Sequence, residues 1–149
     1  MSLMQIFNVS GSAASAQGQR LNTVASNLAN ADSIAEPGAQ PYRARQVVFQ
    51  TLMMGNAGSA GIGGGDGNED GASAGVRVSN IVESLDKPRR VHSPGHAAAD
   101  AAGYVTYSNV SPIDEMANMI SASRAYQSNI EVMNTAKALL VKTLQLGQG

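Results

Sequence analysis

Residues 111–147 read SPIDEMANMISASRAYQSNIEVMNTAKALLVKTLQLG. This stretch decides the fold. Ser111 is suited to cap a helix. Pro112 then fits the first helical position, where a missing N–H costs nothing. Asp114 and Glu115 fall in the first turn, where the helix dipole favours negative charge. Neither Gly nor Pro interrupts the run until Gly147, which suits a helix C-terminus. Apolar positions recur at alternating steps of three and four: Met116, Met119, Ser123, Tyr126, Ile130, Met133, Lys137, Leu140 and Leu144. The spacing predicts one helix over 113–146, about 51 Å long at 1.5 Å per residue.

Working outward, the other end of the chain carries a similar pattern. Leu3, Phe7, Ser10, Ala14, Gln17, Leu21, Val24, Leu28 and Ala31 keep the same rhythm, strongly at Leu21, Val24 and Leu28. A helix over about 2–31 would be about 45 Å long. Gly11 and Gly18 sit seven apart inside it. Each costs a helix interior about 1 kcal/mol relative to Ala. They are either local weak points or places where another backbone comes close.

Between these arms the composition changes. All 5 Pro lie from position 37 to 112. Residues 42–54 (YRARQVVFQTLMM) hold a β-branched and aromatic cluster at Val47, Val48 and Phe49, and read as extended. Residues 55–75 are Gly, Ala, Ser and acid, a loop with almost nothing to bury. Residues 76–85 alternate at Val76 and Val78, which gives a second strand. The two strands would form a hairpin with the Gly-rich loop at its tip, and 104–107 would add a short third strand. The chain is therefore expected to be mainly α with a small β element. Its long terminal helices pair as a coiled-coil-like unit around a central extended, hairpin-bearing segment. Its parts are a helical arm at 1–33, a β and loop segment at 34–111, and a second arm at 112–149.

Composition excludes several functions. Lys and Arg total 10 against 11 acids, so no concentrated positive charge is available for nucleic acid. There is no Cys for disulfides or thiolate metal sites. No apolar run approaches the roughly 20 residues that cross a bilayer. Residues 1–9 lack the basic start of a secretory signal.

Candidate chemistry is sparse. Asp66, Asn68, Asp70 and Gly71 match the first half of a calcium loop, but the twelfth position is Arg77 where a bidentate Glu is needed. His92, His96 and Asp100 are spaced four apart, as metal ligands on a helix would be, yet Pro94 and Gly95 break that helix. Asp114 and Glu115 are adjacent on a helix and point apart, so dipole compensation explains them better than acid–base work. Lys87, Arg89 and Arg90 form a basic cluster, either a solvated turn or a contact for an acidic neighbour. No catalytic residue, cofactor site or metal site is assigned. The helices instead carry more apolar surface than one pair can bury, with Ile113, Ile120, Val132, Leu139 and Val141 off the main stripe. Such surplus points to assembly with other chains.

Particular motifs then point to a family. Residues 15–33 (SAQGQRLNTVASNLANADS) resemble the N-terminal signature of bacterial flagellar axial proteins of the rod and hook, whose helix ends in the Leu-Ala-Asn turn seen here at Leu28, Ala29 and Asn30. Pro41-Tyr42-Arg43 with QVVFQ, Gly103-Tyr104-Val105 and the run from Glu115 to Gly147 resemble proximal rod proteins of the FlgC type. Ser108 stands where that family more often has Pro. The resemblance implies a structural subunit of the proximal rod, located in the flagellar basal body where the rod crosses the periplasm. It implies export through the flagellar type III apparatus without a cleaved signal, and self-association. Contact with other rod proteins and with the adaptor and membrane ring at the rod base is implied as well. The expected subunit-interface residues are Leu21, Val24, Leu28, Tyr126, Ile130, Met133, Leu140 and Leu144. Alternatives are another axial protein, of the distal rod or hook-associated, and a secreted wall hydrolase. The hydrolase would need convergent carboxylates, and the sequence offers none.

Overall fold

A computed structural model describes residues 3–54 and 73–146. Helix α1 spans Leu3–Ala29 and helix α2 spans Pro112–Leu146. Between them run β1 (Ile34–Ala35), β2 (Arg45–Met54), β3 (Ser73–Glu83), β4 (Arg90–His92) and β5 (Tyr104–Tyr107). The architecture is mainly helical with a small β part, as the sequence predicts. The glycine-rich loop and the calcium-like motif at Asp66–Gly71 fall outside the described residues, although residues 73–75 of the expected loop belong to β3.

Both helix ends are built by the residues that signalled them. At the start of α2, the Glu115 N–H donates to the Ser111 carbonyl at 3.0 Å, and Ser111 Oγ lies 3.5 Å from the Asp114 N–H. At the end of α1, Asn30 turns its own amide back and donates to the Ser26 carbonyl at 2.8 Å. That side chain satisfies an acceptor the helix would leave open. Ser33 Oγ donates to the Asn30 carbonyl at 2.8 Å and fixes the exit.

The helices run antiparallel. Gly11 faces Met133, Gly18 faces Tyr126, and Arg20 donates to the Asn118 side chain at 3.1 Å. The seam differs from the expected stripe on α2. Its buried residues are Glu115, Ala122 and Ala136, each one position before Met116, Ser123 and Lys137. One residue turns a helix by about 100°. The small alanines occupy the line of closest approach, and the larger Tyr126, Ile130 and Met133 flank it. Gly11 and Gly18 admit no backbone; a methyl group at either would lie 4.0 Å from a side-chain atom.

Strands β2 and β3 pair antiparallel from Arg45↔Glu83 to Met54↔Ser73, with Ser79 bulging out between the Val48↔Asn80 and Phe49↔Val78 pairs. This hairpin lies against α1. Ser12 Oγ accepts the Val76 N–H at 3.1 Å while donating to the Val9 carbonyl. Helix α1 is thus covered by α2 on one side and the hairpin on another, which is why Ser10, Ala14, Ala16, Thr23, Val24 and Asn27 are all buried.

The strand at 104–107 does not extend the hairpin. It is the middle of a separate sheet ordered β1-β5-β4. The basic cluster of Lys87, Arg89 and Arg90 is exposed, and two of its members also bind within the chain. Arg90 pairs with Asp100 and stacks over Tyr104, while Arg89 lies 3.6 Å from Asp32 and stacks over Tyr107. His92 packs edge-on against Tyr104. No group of three potential metal ligands occurs among the described residues. Gly103 takes φ +77°, and a side chain there would meet His92 and Pro94 at 3.2 Å. Only glycine fits that turn without strain.

Candidate subunit interface

A polar clasp joins the two helices to the hairpin. Asn27 is fully buried on α1. Its amide donates to the Arg45 carbonyl at 2.7 Å and to Glu115 Oε2 at 3.2 Å. Its oxygen accepts the Tyr42 hydroxyl at 3.0 Å and the Arg45 N–H at 2.9 Å. An Asn side chain has two donors and two acceptor sites, and all are used. One residue therefore ties α1 to the start of β2 and to the first turn of α2. Asn109 repeats the device nearby, accepting the Ala44 N–H at 2.6 Å and donating to the Asp86 carbonyl at 3.0 Å. Ser108 adds a third tie, with Oγ donating to the Ala31 carbonyl at 2.6 Å and its N–H to the Ser33 carbonyl. Proline at that position could make neither bond.

Around these ties the core is small. Ala31, Ala44 and Val110 pack under Tyr42, and Val105 is fully enclosed in β5. Beside the clasp lies a polar cleft of about 380 Å³ with Arg20, Arg45, Glu115 and Asn118 in its wall. Among the described residues its one carboxylate is Glu115, already held by Asn27. The paired-carboxylate geometry of hydrolysis is not assembled there.

The residues expected at the interface divide between two environments. Val24 is 5% exposed and belongs to the interior of its own chain. Leu21, Leu28, Ile130, Met133 and Leu140 are half-buried along the pair. Tyr126 is 38% and Leu144 68% exposed. The larger apolar surface lies elsewhere on α2, where Ile113, Met116, Ile120, Leu139, Val141 and Leu146 all face outward. The hairpin adds exposed Val48, Phe49, Ile81 and Val82. Patches of this extent are uncommon on solitary proteins. The role of Asn27 escaped the sequence reading, and Ser108 was noted there only as a departure from the family's Pro. The available signal was a polar residue set three after Val24 and four before Ala31, inside an apolar stripe.

Comparison with known proteins agrees with this architecture. A family model described as flagella basal body rod protein matches residues 7–33, most of α1 and its exit turn. A second, the C-terminal part of flagellar basal body rod FlgEFG proteins, matches residues 101–146, β5 and α2. The flagellar basal-body rod protein FlgC of Yersinia enterocolitica is 52% identical over 148 residues, spanning 99% of this chain and all of that protein. The FlgC proteins of Escherichia coli O157:H7 and of Buchnera aphidicola from Acyrthosiphon pisum are 49% and 42% identical, again over 99% of this chain and all of theirs. The chain belongs to the FlgC family. It is a structural subunit of the flagellar basal-body rod, of the proximal type. FlgC proteins are a structural family, not an enzyme family. No helix among the described residues is long and apolar enough to cross a membrane.

Proposed function

We propose that this FlgC-type chain works by stacking. Copies stand with their helix pairs along the axis of a hollow shaft, join other rod proteins, and bury one another's outward faces so that the shaft carries torque. The observation that supports this most directly is the outer face of α2, where Ile113, Met116, Ile120, Leu139, Val141 and Leu146 are all exposed, Ile113 and Leu146 by 80% or more. Fully burying one such side chain is worth about 1.5–3 kcal/mol, so a few per contact drive assembly. Tyr126 and Leu144 offer a neighbour the most surface among the seam residues. Leu21, Leu28, Ile130, Met133 and Leu140 divide theirs between the pair and the neighbour. Val24 acts by holding the pair together.

On the same reading the chain is no enzyme and uses no cofactor. It passes through the flagellar type III export apparatus, needs no cleaved signal, and meets the adaptor and membrane ring at the rod base. The test is a double substitution, Ile120→Asp with Leu139→Asp, in cells lacking their own copy. Ile120 is 56% and Leu139 47% exposed, and circular dichroism of the purified variant checks that it still folds. The expected result is export of the protein, its absence from purified basal bodies, and loss of swimming. Normal incorporation and swimming would refute the reading.

A further inference from the structure

The polar cleft beside the clasp holds a cation that its own chain leaves without a carboxylate. Arg20 lines it from α1, is half-buried, and donates to the Asn118 side-chain oxygen at 3.1 Å. It has no ion pair among the described residues. The other charges of the cleft are engaged. Arg45 lies 3.6 Å from Glu83 and stacks over Tyr42. Glu115 shares the wall, outside ion-pair reach of Arg20, and is held by the Asn27 amide. A guanidinium stays charged in a protein, so half-burying it beside Val24, Val47 and Phe49 with one neutral acceptor leaves its charge undercompensated. Its planar fork is matched to a carboxylate, which it grips by two hydrogen bonds. At about 380 Å³ the cleft has room for about a dozen waters, enough for an acidic side chain and the residue beside it.

One exposed acid has the shape to enter. Among the described residues Asp32, Glu83 and Asp100 are paired with Arg89, Arg45 and Arg90, and Asp86 is tied to Ser84. Asp114 and Glu131 lie on the flank of α2, where a whole helix would have to follow them in. Glu36 differs. It opens a turn closed by the Ala39 N–H on the Glu36 carbonyl at 2.9 Å. Pro37 fixes the first corner of that turn, and Gly38 at φ +87° makes the second. Residues 36–40 are all exposed, and Glu36 has no ion pair among the described residues. A turn already held in one shape loses little freedom on docking.

We infer that the cleft is a carboxylate-binding pocket and that the 36–39 turn of a second copy fills it, with Glu36 against Arg20. This rests on the stacking reading above and adds the occupant and the polarity. Turn and cleft are different surfaces, so the contact is head-to-tail. Contacts of that kind propagate as open helical assemblies when the rotation between copies does not close a ring.

The chain has no Cys, which makes a clean test possible. Cells lacking their own copy are given Ala39→Cys, on the turn, and Gln46→Cys, on the cleft wall, on separate copies. Basal bodies are purified, checked for the protein, oxidised, and blotted. A product of twice the chain mass, formed by the mixture and by neither variant alone, is expected. Basal bodies that contain both variants but yield only monomer, like-with-like dimers, or an adduct with a different protein overturn the inference while leaving the stacking reading intact. Absence of the parent chain from basal bodies would instead remove the stacking reading. Charge reversal gives a second readout. Glu36 is exposed and unpaired in its own chain, so Glu36→Lys leaves the fold alone, which circular dichroism of the purified variant checks. It should lower the amount of the chain in basal bodies by about tenfold or more. Incorporation at the parent level overturns the pairing.

Discussion

The clasp makes a quantitative prediction through Asn27→Asp. The substitution is nearly isosteric but replaces the donating amide with a second carboxylate, 3.2 Å from Glu115 Oε2. Two full charges at that separation repel by about 5 kcal/mol at an effective dielectric near 20. The pair can instead hold one proton. At pH 7, protonating a carboxylate of ordinary pKa about 4.3 costs about 3.7 kcal/mol. The second route is cheaper, so the folded variant takes up a proton. A further ~1–3 kcal/mol goes with the Arg45 carbonyl if the shared proton does not reach it. The sign follows from linkage. The pair's folded pKa is raised above its unfolded value, so stability is retained below the unfolded value and lost as pH rises. Between about pH 5 and 7 the variant should lose about 2.7 kcal/mol relative to the parent, at about 1.36 kcal/mol per unit. Urea unfolding followed by far-UV circular dichroism, at several pH values and with the parent curve subtracted, measures this. Adding Glu115→Gln restores a donor opposite the new carboxylate and should flatten the pH slope. A variant within about 1 kcal/mol of the parent at pH 7 would refute the clasp, as would a deficit independent of pH.

Three other outcomes are expected. Gly103→Ala forces a side chain into φ +77° against His92 and Pro94, and should cost about 1–2 kcal/mol in the same urea assay; a neutral result would mean the turn can relax. Gly11→Ala and Gly18→Ala meet only ordinary contact at 4.0 Å, so each should raise stability by about 0.5–1 kcal/mol; a loss would show that the helices need the missing methyl. The Tyr104 N–H, then the Ala102 N–H and Arg90, hold the Asp100 carboxyl below its ordinary value. Its support for the 93–104 turn should be complete above the ordinary carboxylate pKa and vanish as pH falls through the lower folded value. An NMR titration of the Ala102 and Tyr104 amides would show that inflection, and Asp100→Asn should abolish it.

The sequence carried the long-range plan better than its joints. Helix α2 was legible because Ser111-Pro112 begins it and nothing breaks it before Gly147. The hairpin was legible from Val47–Phe49 and the alternation at Val76 and Val78. Strands β1 and β4 were not, since two or three residues between turns show no period; RVH lies between Pro88 and Pro94 and is defined only by its partner β5. The α2 seam was read one residue late because periodicity weights large apolar side chains. The actual line of approach is set by Ala122 and Ala136, whose smallness is the point. The clasp was missed for a related reason. Asn27 looks like a solvated residue until Tyr42, Arg45 and Glu115 arrive from elsewhere in the chain to satisfy it. The expected interface residues were taken from the same large-residue stripe, and within the chain Val24 is buried while Leu21, Leu28, Ile130, Met133 and Leu140 are half-buried.

The sandwiching of α1 sets a mechanical order. A twist delivered to the outer side of α2 reaches the hairpin only by crossing α1, first through alanine-lined packing and then through the Ser12–Val76 bond and its neighbours. The clasp at one extremity acts as a rivet, because Asn27 pins α1 to β2 and to α2 through four hydrogen bonds at once. A load that pries the rods of this lever apart at that extremity must break those bonds together.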